Sequence, residues 1–256
     1  MRPENTAQIR QLELFAKVSE ETFRALTETS FLQRFPRGVV LIRENEPADF
    51  LHVVLGGAVE MFAGTETRET TLDIIRPIGV FILAAVLNDE VYLQSARTLE
   101  PSDIFMIPAQ KVRFAMETDA AFARAIVMEL ARSYRRTIKD LKGMKLRTGT
   151  ERLANWLLRA DKEQGGSGQV EIRMEKRTLA SRLGMTPENL SRAFSTLKSH
   201  GIEIDGSKVE IVEPAILIEF ARPDPLVDDP EDPFPAADGG TNRKDAQIAD
   251  RGQRGQ

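Results

Sequence analysis

Cysteine is absent from the 256 residues, and histidine occurs only twice. The first absence removes disulfides, thiol catalysis, thiolate zinc sites and cysteine-ligated iron–sulfur clusters. The second leaves His52 and His200, far apart in sequence, so a multi-histidine metal site within one chain is excluded. A Ser-His-Asp arrangement would have to use one of these two, and neither stands in a nucleophile-like context. Enzyme readings, such as a jelly-roll site, therefore start weak, and the expectation is a protein that is not an enzyme. No apolar run approaches the roughly 18–20 residues of a membrane span, and the N-terminus lacks a secretory pattern. The expected compartment is the cytoplasm, with no membrane partner.

A composition of 41% apolar and 29% charged residues fits a globular chain of one or two domains. The net charge of −4 is unevenly spread. From Pro223 to the end there are eight acids and four basic residues, which leaves 31 of each sign before it. Within that neutral body, Arg124 to Arg147 carries eight Lys/Arg against only Glu129 and Asp140. The low overall pI thus hides a basic stripe, and for nucleic-acid binding distribution matters more than total.

Along the chain, Met1 to about Gln8 reads as polar and loose, and Leu12–Phe15 as a helical turn. Ser19 then caps a helix with Glu20 and Glu21 in its first turn, and Val18 is placed to staple against Phe23. From about Leu32 to Pro108 the pattern becomes short β segments punctuated by Gly38, Gly56-Gly57, Gly64 and Pro77-x-Gly79, which suggests a small barrel or jelly roll. Around Thr118 the period switches to helix and stays there through about Leu141. Val127, Leu130, Tyr134, Ile138 and Leu141 form one narrow seam on it. Such a seam fits pairing with a second copy as a parallel coiled coil, or packing on the chain's own β domain; the helix's length favours the first. Lys142–Thr150, with Gly143 and Gly149, reads as a hinge. A helix over Glu151–Asp161, with Leu153, Trp156 and Leu157 buried, and a short strand at Gln169–Arg173 follow. Pro223 onward is rich in Pro, Asp and Gly and is expected to be disordered.

Arg177–Gly201 is the stretch around which the rest is arranged. Leu179, Ala180 and Leu183 make a first apolar stripe that Gly184 ends. Thr186-Pro187 then opens a second helix, a hydroxyl N-cap before proline at the first helical position. Leu190, Ala193, Phe194 and Leu197 recur at helical spacing on its core face. The other face carries Glu188, Ser191, Arg192 and Ser195. In a helix-turn-helix the N-terminal residues of the second helix meet base edges in the major groove. There Arg pairs bidentately with guanine and Glu accepts from cytosine. The plainer alternative is a helical hairpin with a solvated face. A hairpin follows, Ile202–Ile204 and Val209–Val212 across Asp205-Gly206, which makes the unit a winged helix.

The order of β roll, long helix and winged helix resembles the Crp/Fnr superfamily of bacterial transcription regulators, over about Leu12 to Val212. Leu14–Ser19 is similar to the family's opening helix, and Gly38, Gly57 and the strands around Phe50–Phe62 to its β-roll. Glu188-x-x-Ser191-Arg192 resembles the E-x-x-S-R reading head of the Fnr branch. The implied architecture is α+β, with a β-roll sensory domain at 12–117, a dimerisation helix at 118–142, a winged helix-turn-helix DNA-binding domain at 147–222 and a disordered tail at 223–256. The implied function is a homodimeric regulator on a palindrome resembling TTGA…TCAA, with double-stranded DNA and RNA polymerase as partners. Glu188, Ser191 and Arg192 would read bases. Arg177, Arg182, Thr186, Asn189, Ser195 and Lys198 would touch the backbone.

The resemblance breaks at the effector pocket. Cyclic-nucleotide binders of the family carry F-I-G-E and then R-S/T-A, because phosphate needs a close glycine backbone and a cation, and ribose needs an acid. The matching residues here are Phe81-Ile82-Leu83-Ala84 and Gln94-Ser95-Ala96. Loss of the glycine, the acid and the arginine argues against cAMP. Phe81 to Leu87 is one hydrophobic run, which either lines an apolar pocket or fills the old cavity. Nitric-oxide-sensing regulators of the Nnr/Dnr branch also lack both cassette and cysteines and use haem. His52 is the candidate axial ligand for such a group, against the reading of an ordinary strand histidine. Two broader alternatives remain: an effector-independent regulator, and a ligand-binding or protein-interaction module whose winged helix does not read DNA.

Overall fold

The computed structural model describes residues 3–228. The chain begins with α1 (Pro3–Arg10) and α2 (Glu20–Glu28). It then runs through β1 (Phe31–Phe35), β2 (Val40–Ile42), β3 (Phe50–Gly56), β4 (Val59–Gly64), β5 (Glu69–Ile75) and β6 (Gly79–Phe81). A short helix α3 (Leu83–Asn88) leads to β7 (Ser95–Thr98) and β8 (Ser102–Pro108), and α4 (Ala109–Thr118) precedes the long α5 (Ala120–Leu146). The C-terminal part comprises α6 (Gly149–Glu163), β9 (Gln169–Glu171), α7 (Lys176–Arg182), α8 (Pro187–Lys198), β10 (Ile202–Asp205), β11 (Lys208–Ile211), α9 (Pro214–Ala221) and α10 (Pro225–Asp228).

Two four-stranded antiparallel sheets, ordered β1-β8-β3-β6 and β2-β7-β4-β5, make the jelly roll. Leu51, Val53, Val59, Met61, Ala96, Ile104, Phe105 and Ile107 fill its interior and are essentially inaccessible to water. One end is sealed by an aromatic cluster: Phe15 lies 5.9 Å from Phe23, 6.4 Å from Phe105 and 6.2 Å from Phe122, centroid to centroid. Phe122 brings the first turns of α5 into that core, and Asp119 fixes their start. Its carboxylate accepts from the Ala121 and Phe122 N–H groups, at 2.9 and 3.0 Å, and from Ser19 N–H at 3.0 Å. Burial works to raise this carboxyl, but the bonds from Phe122 and Ser19 outweigh it and hold it well below the usual carboxylate range.

A second core lies beyond α5. Leu153, Leu157, Leu179, Leu190, Phe194, Leu197, Val209 and Leu217 bury α6 to α9 against the small sheet β10-β11-β9. The wing turns at Gly206, whose φ is +60°, between the paired Asp205 and Lys208. Among the described residues no helix is long and apolar enough to cross a membrane.

Several local expectations fail. The N-terminal stretch read as loose is helical from Pro3, with Ile9 fully buried. Helix starts again at Ala109, and Asp119 breaks α4 from α5, so the helical region opens earlier than Thr118 and in two pieces. The hinge expected at 142–150 shrinks to Arg147 and Thr148. α5 runs through Gly143 to Leu146, and Thr148 already caps α6 in a reciprocal box with Glu151. A glycine lacking any neighbour within 4 Å of its Cβ position costs a helix only about 1 kcal/mol, too little to break one this long. The tail reading fails for residues 223–228, which include α10; its remainder, 229–256, lies outside the described residues.

Candidate nucleic-acid interface and effector region

The second helix of the helix-turn-helix is positioned from its N-terminal end and by its core face. Thr186 Oγ1 accepts from Asn189 N–H at 3.3 Å, and Pro187 occupies the first turn. Leu190, Ala193, Phe194 and Leu197 are buried, so the opposite face must point outward. The turn before it runs through Gly184, whose φ of +64° is a left-handed conformation that L side chains rarely adopt; a Cβ there would also displace the flexible end of Met144 of α5.

Glu188, Asn189, Ser191, Arg192, Ser195 and Lys198 are all exposed on that outward face, with Thr186 and Arg177 exposed nearby. The Ser191 and Ser195 hydroxyls donate to Pro187 and Ser191 carbonyls one turn back, at 3.0 and 3.1 Å. Both retain acceptor capacity toward an incoming donor. The Glu188 carboxyl sits below its ordinary range, held there by its own N–H and the Thr186 hydroxyl, with Arg192 one turn along acting in the same direction. Arg182 is set apart from this group. Its guanidinium faces Asp73 of β5 at 3.5 Å, and Ser181 beside it accepts from Thr71 N–H at 2.6 Å. α7 therefore leans on the roll, a contact spanning more than 100 residues that no local pattern announces.

The seam of α5 divides. Val127, Tyr134, Ile138 and Leu141 are exposed, whereas Leu130 packs against the roll core. Tyr134 is 68% accessible, far more than an aromatic ring with a local partner would be.

The effector candidates are largely interior. Phe81, Ile82 and Leu83 belong to the roll core, while Ala84 is exposed. Ser95 Oγ already accepts from Glu44 N–H at 2.9 Å, and Gln94 is half-buried beside it. His52 lies in the middle of β3, 3% exposed, with its ring stacked on Phe81 at 5.1 Å. An axial ligand needs an open ring edge facing a space large enough for the macrocycle, and this packing supplies none. The residues present do not fit a haem. Nδ1 is buried and has no hydrogen-bond partner, and burial lowers the imidazole pKa to about 4 against a weak opposing pull from the Phe50 backbone. His200, by contrast, sits at the end of α8 with Nδ1 3.0 Å from Thr196 O and its ring against Phe220.

A lowered histidine pKa is a statement about stability. The folded chain resists protonation and the unfolded chain does not, so stability is lost as pH falls from about 6.5 toward about 4. The whole loss is at most about 3.4 kcal/mol, roughly 2.5 pH units at about 1.36 kcal/mol each. His52→Phe should flatten this part of the pH dependence when urea unfolding is compared at pH 5 and 7.5. Parallel pH dependences for the two proteins would exclude the histidine as its source.

Sequence reasoning also missed a charged network on the outer face of the second sheet. Glu60, 2% exposed, accepts from Arg97 Nε at 2.7 Å and from Thr71 Oγ1 at 2.5 Å; Arg97 also reaches Glu69 and covers the Phe62 ring. An acid within a strand carries no sequence sign that its partners lie on two neighbouring strands. Among the described residues, no three His, Asp or Glu side chains gather into a metal site.

Known families match the two halves of this arrangement. Residues 32–119 match the cyclic nucleotide-binding domain, and residues 151–220 match the Crp-like helix-turn-helix domain. A CRP-like cAMP-activated global transcriptional regulator of Mycobacterium tuberculosis is 25% identical over 215 residues, covering 82% of this chain and 96% of that protein. The transcriptional activator protein anr of Pseudomonas aeruginosa is 23% identical over 190 residues, covering 72% and 78%. The structure of FixK2 from Bradyrhizobium japonicum shares the fold, with a TM-score of 0.65 at 21% identity over 75% of this chain and 97% of that one.

Proposed function

The chain belongs to the Crp/Fnr superfamily of DNA-binding transcription regulators, and we propose that it acts as a homodimer reading a palindrome that resembles TTGA…TCAA. One observation carries this reading: the outward face of α8 presents Glu188, Ser191 and Arg192 together, on a helix held rigidly by its buried stripe. Arg192 pairs with guanine, Glu188 accepts from the cytosine amino group, and Ser191 serves either donor or acceptor. Arg177, Asn189, Ser195 and Lys198 supply backbone contacts that orient the helix without specifying sequence. The exposed seam of α5 is the surface for the second copy, whose twofold symmetry the palindrome mirrors. RNA polymerase is the further partner such a regulator requires.

Control is proposed to be independent of cAMP. The relative from M. tuberculosis is named as cAMP-activated, but here Leu83, Ala84 and Gln94 replace the groups that phosphate and ribose need. Between haem-based sensing and an effector-independent regulator, the packing of Phe81, Ile82, Leu83 and His52 favours the second.

The test is a mobility-shift titration over salt concentration, on TTGA…TCAA and random duplexes, with and without cAMP. The palindrome should bind at least about a thousandfold tighter, with affinity falling linearly in log–log against salt, and cAMP should change neither. Absence of tight binding to both duplexes at low salt would favour a protein-interaction module instead.

A further inference from the structure

The chain does not end its structure at the winged helix. After α9, Arg222 adopts a left-handed conformation (φ +46°) and turns the backbone toward α5. Asp224 then organises a single turn: its Oδ1 accepts from Leu226 N–H at 2.9 Å, and its carbonyl accepts from Val227 and Asp228 N–H at 2.8 Å each. Asp228 Oδ2 takes the Asp224 N–H at 2.7 Å and closes the knot. Val227 is buried beneath it.

This turn is fastened to the far end of the long helix. Asp228 pairs bidentately with Arg147, at 2.8 and 2.5 Å, and the two side chains are only 11% and 13% exposed. Asp224 adds Lys142 at 3.3 Å, a more exposed and weaker contact. Arg147 is one of the two residues linking α5 to α6. Its carbonyl accepts from Arg152 Nη1 at 2.6 Å, and Arg152 Nε donates to Leu183 O in the helix-turn-helix turn at 2.8 Å. A continuous path of charge-assisted bonds thus joins the C-terminal turn, the connection between the domains and the base of the reading head. Of the two linking residues, Thr148 is already tied into α6 by its capping box, and the Asp228 carboxylate holds the side chain of the other, Arg147.

We propose that residues 223–228 are a latch. Through Arg147 and Asp228 it fixes the DNA-binding domain against α5 and so sets the spacing of the two reading heads in the dimer. The effect on spacing rests on the DNA-reading function proposed above; the latch itself does not. Breaking one partner leaves its charge stranded with little water, so the loss is larger than for a surface pair.

The experiment is hydrogen exchange on the full-length protein, read at the amides of residues 144–152. It is paired with mobility shifts on palindromes whose half-site spacing is changed by one or two base pairs. Asp228→Asn should speed exchange across the link by about tenfold or more, while the amides of the roll core stay unchanged. The paired exchange Arg147→Asp with Asp228→Arg, and separately Asp228→Glu, should restore much of the protection. The Asp228→Asn protein should also tolerate altered spacing better than the parent. Unchanged exchange in Asp228→Asn overturns the latch, as does faster exchange spread evenly over the roll. Faster exchange at the link with an equally strict spacing preference overturns its role in setting the reading heads. If the parent binds no palindrome at any spacing, the regulator reading fails while the exchange result still decides the latch.

Discussion

Arg192→Ala is expected to weaken binding to the palindrome by about ten- to a hundredfold per half-site, roughly 1–3 kcal/mol, and to erase discrimination at one guanine–cytosine pair. The reason is geometric. Arg192 is exposed on the second turn of α8, one turn beyond Glu188, and among the described residues its guanidinium has no ion pair or hydrogen bond holding it in the free protein. Its donors are available for the O6 and N7 acceptors of guanine, and alanine leaves both acceptors unpaired in the groove. Because the core face of α8 is formed by Leu190, Ala193, Phe194 and Leu197, the substitution leaves the helix in place. A competition mobility shift across all substitutions at each half-site position reads the effect directly. Weaker binding with an unchanged sequence preference would demote Arg192 to a backbone contact.

A larger loss is expected from the seam. Ile138→Asp combined with Leu141→Asp should yield a monomer in sedimentation at micromolar concentration and lower palindrome affinity by two or more orders of magnitude, as avidity between linked half-sites is lost. Both side chains are substantially exposed in the single chain, so their replacement removes no core contact of either domain. In a parallel pair they face their own copies, and four introduced carboxylates would meet where apolar side chains now do. Basic residues crowd the flanks of the same helix, including Arg135, Arg136 and Lys142, so the apolar seam must supply the attraction that the flanks do not. A dimer mass retained by the double variant would place the interface elsewhere.

Short-range features were legible in the residues because their causes are short-range. Ser19 and Thr186 cap the helices they precede, with their hydroxyls accepting from the backbone three residues on. The stripe Leu190, Ala193, Phe194, Leu197 reports its burial through helical spacing, and Asp205-Gly206 reports its turn through the conformations those residues tolerate. Together they were enough to order the roll, the long helix and the winged unit, and to single out Glu188, Ser191 and Arg192.

Other outcomes depended on residues that meet only after folding. Leu130 occupies a seam position by spacing, yet the roll reaches far enough along α5 to claim it. Arg182 has the charge for a phosphate contact, but Asp73, 109 residues away, receives it. His52 has the chemistry of an axial ligand, but Phe81 packs against its ring. A Pro/Asp-rich segment averages to disorder, although Asp224 and Asp228 find Lys142 and Arg147 across 82 and 81 residues. The order of elements and the exposed chemistry of the proposed reading head follow from the residues alone, since caps, periods and turns act within a few residues. Which charges are already paired inside the molecule, and which contacts tie α7 to the roll and residues 223–228 to α5, emerges on folding alone, because a pairing between distant residues leaves no mark on the local pattern of either.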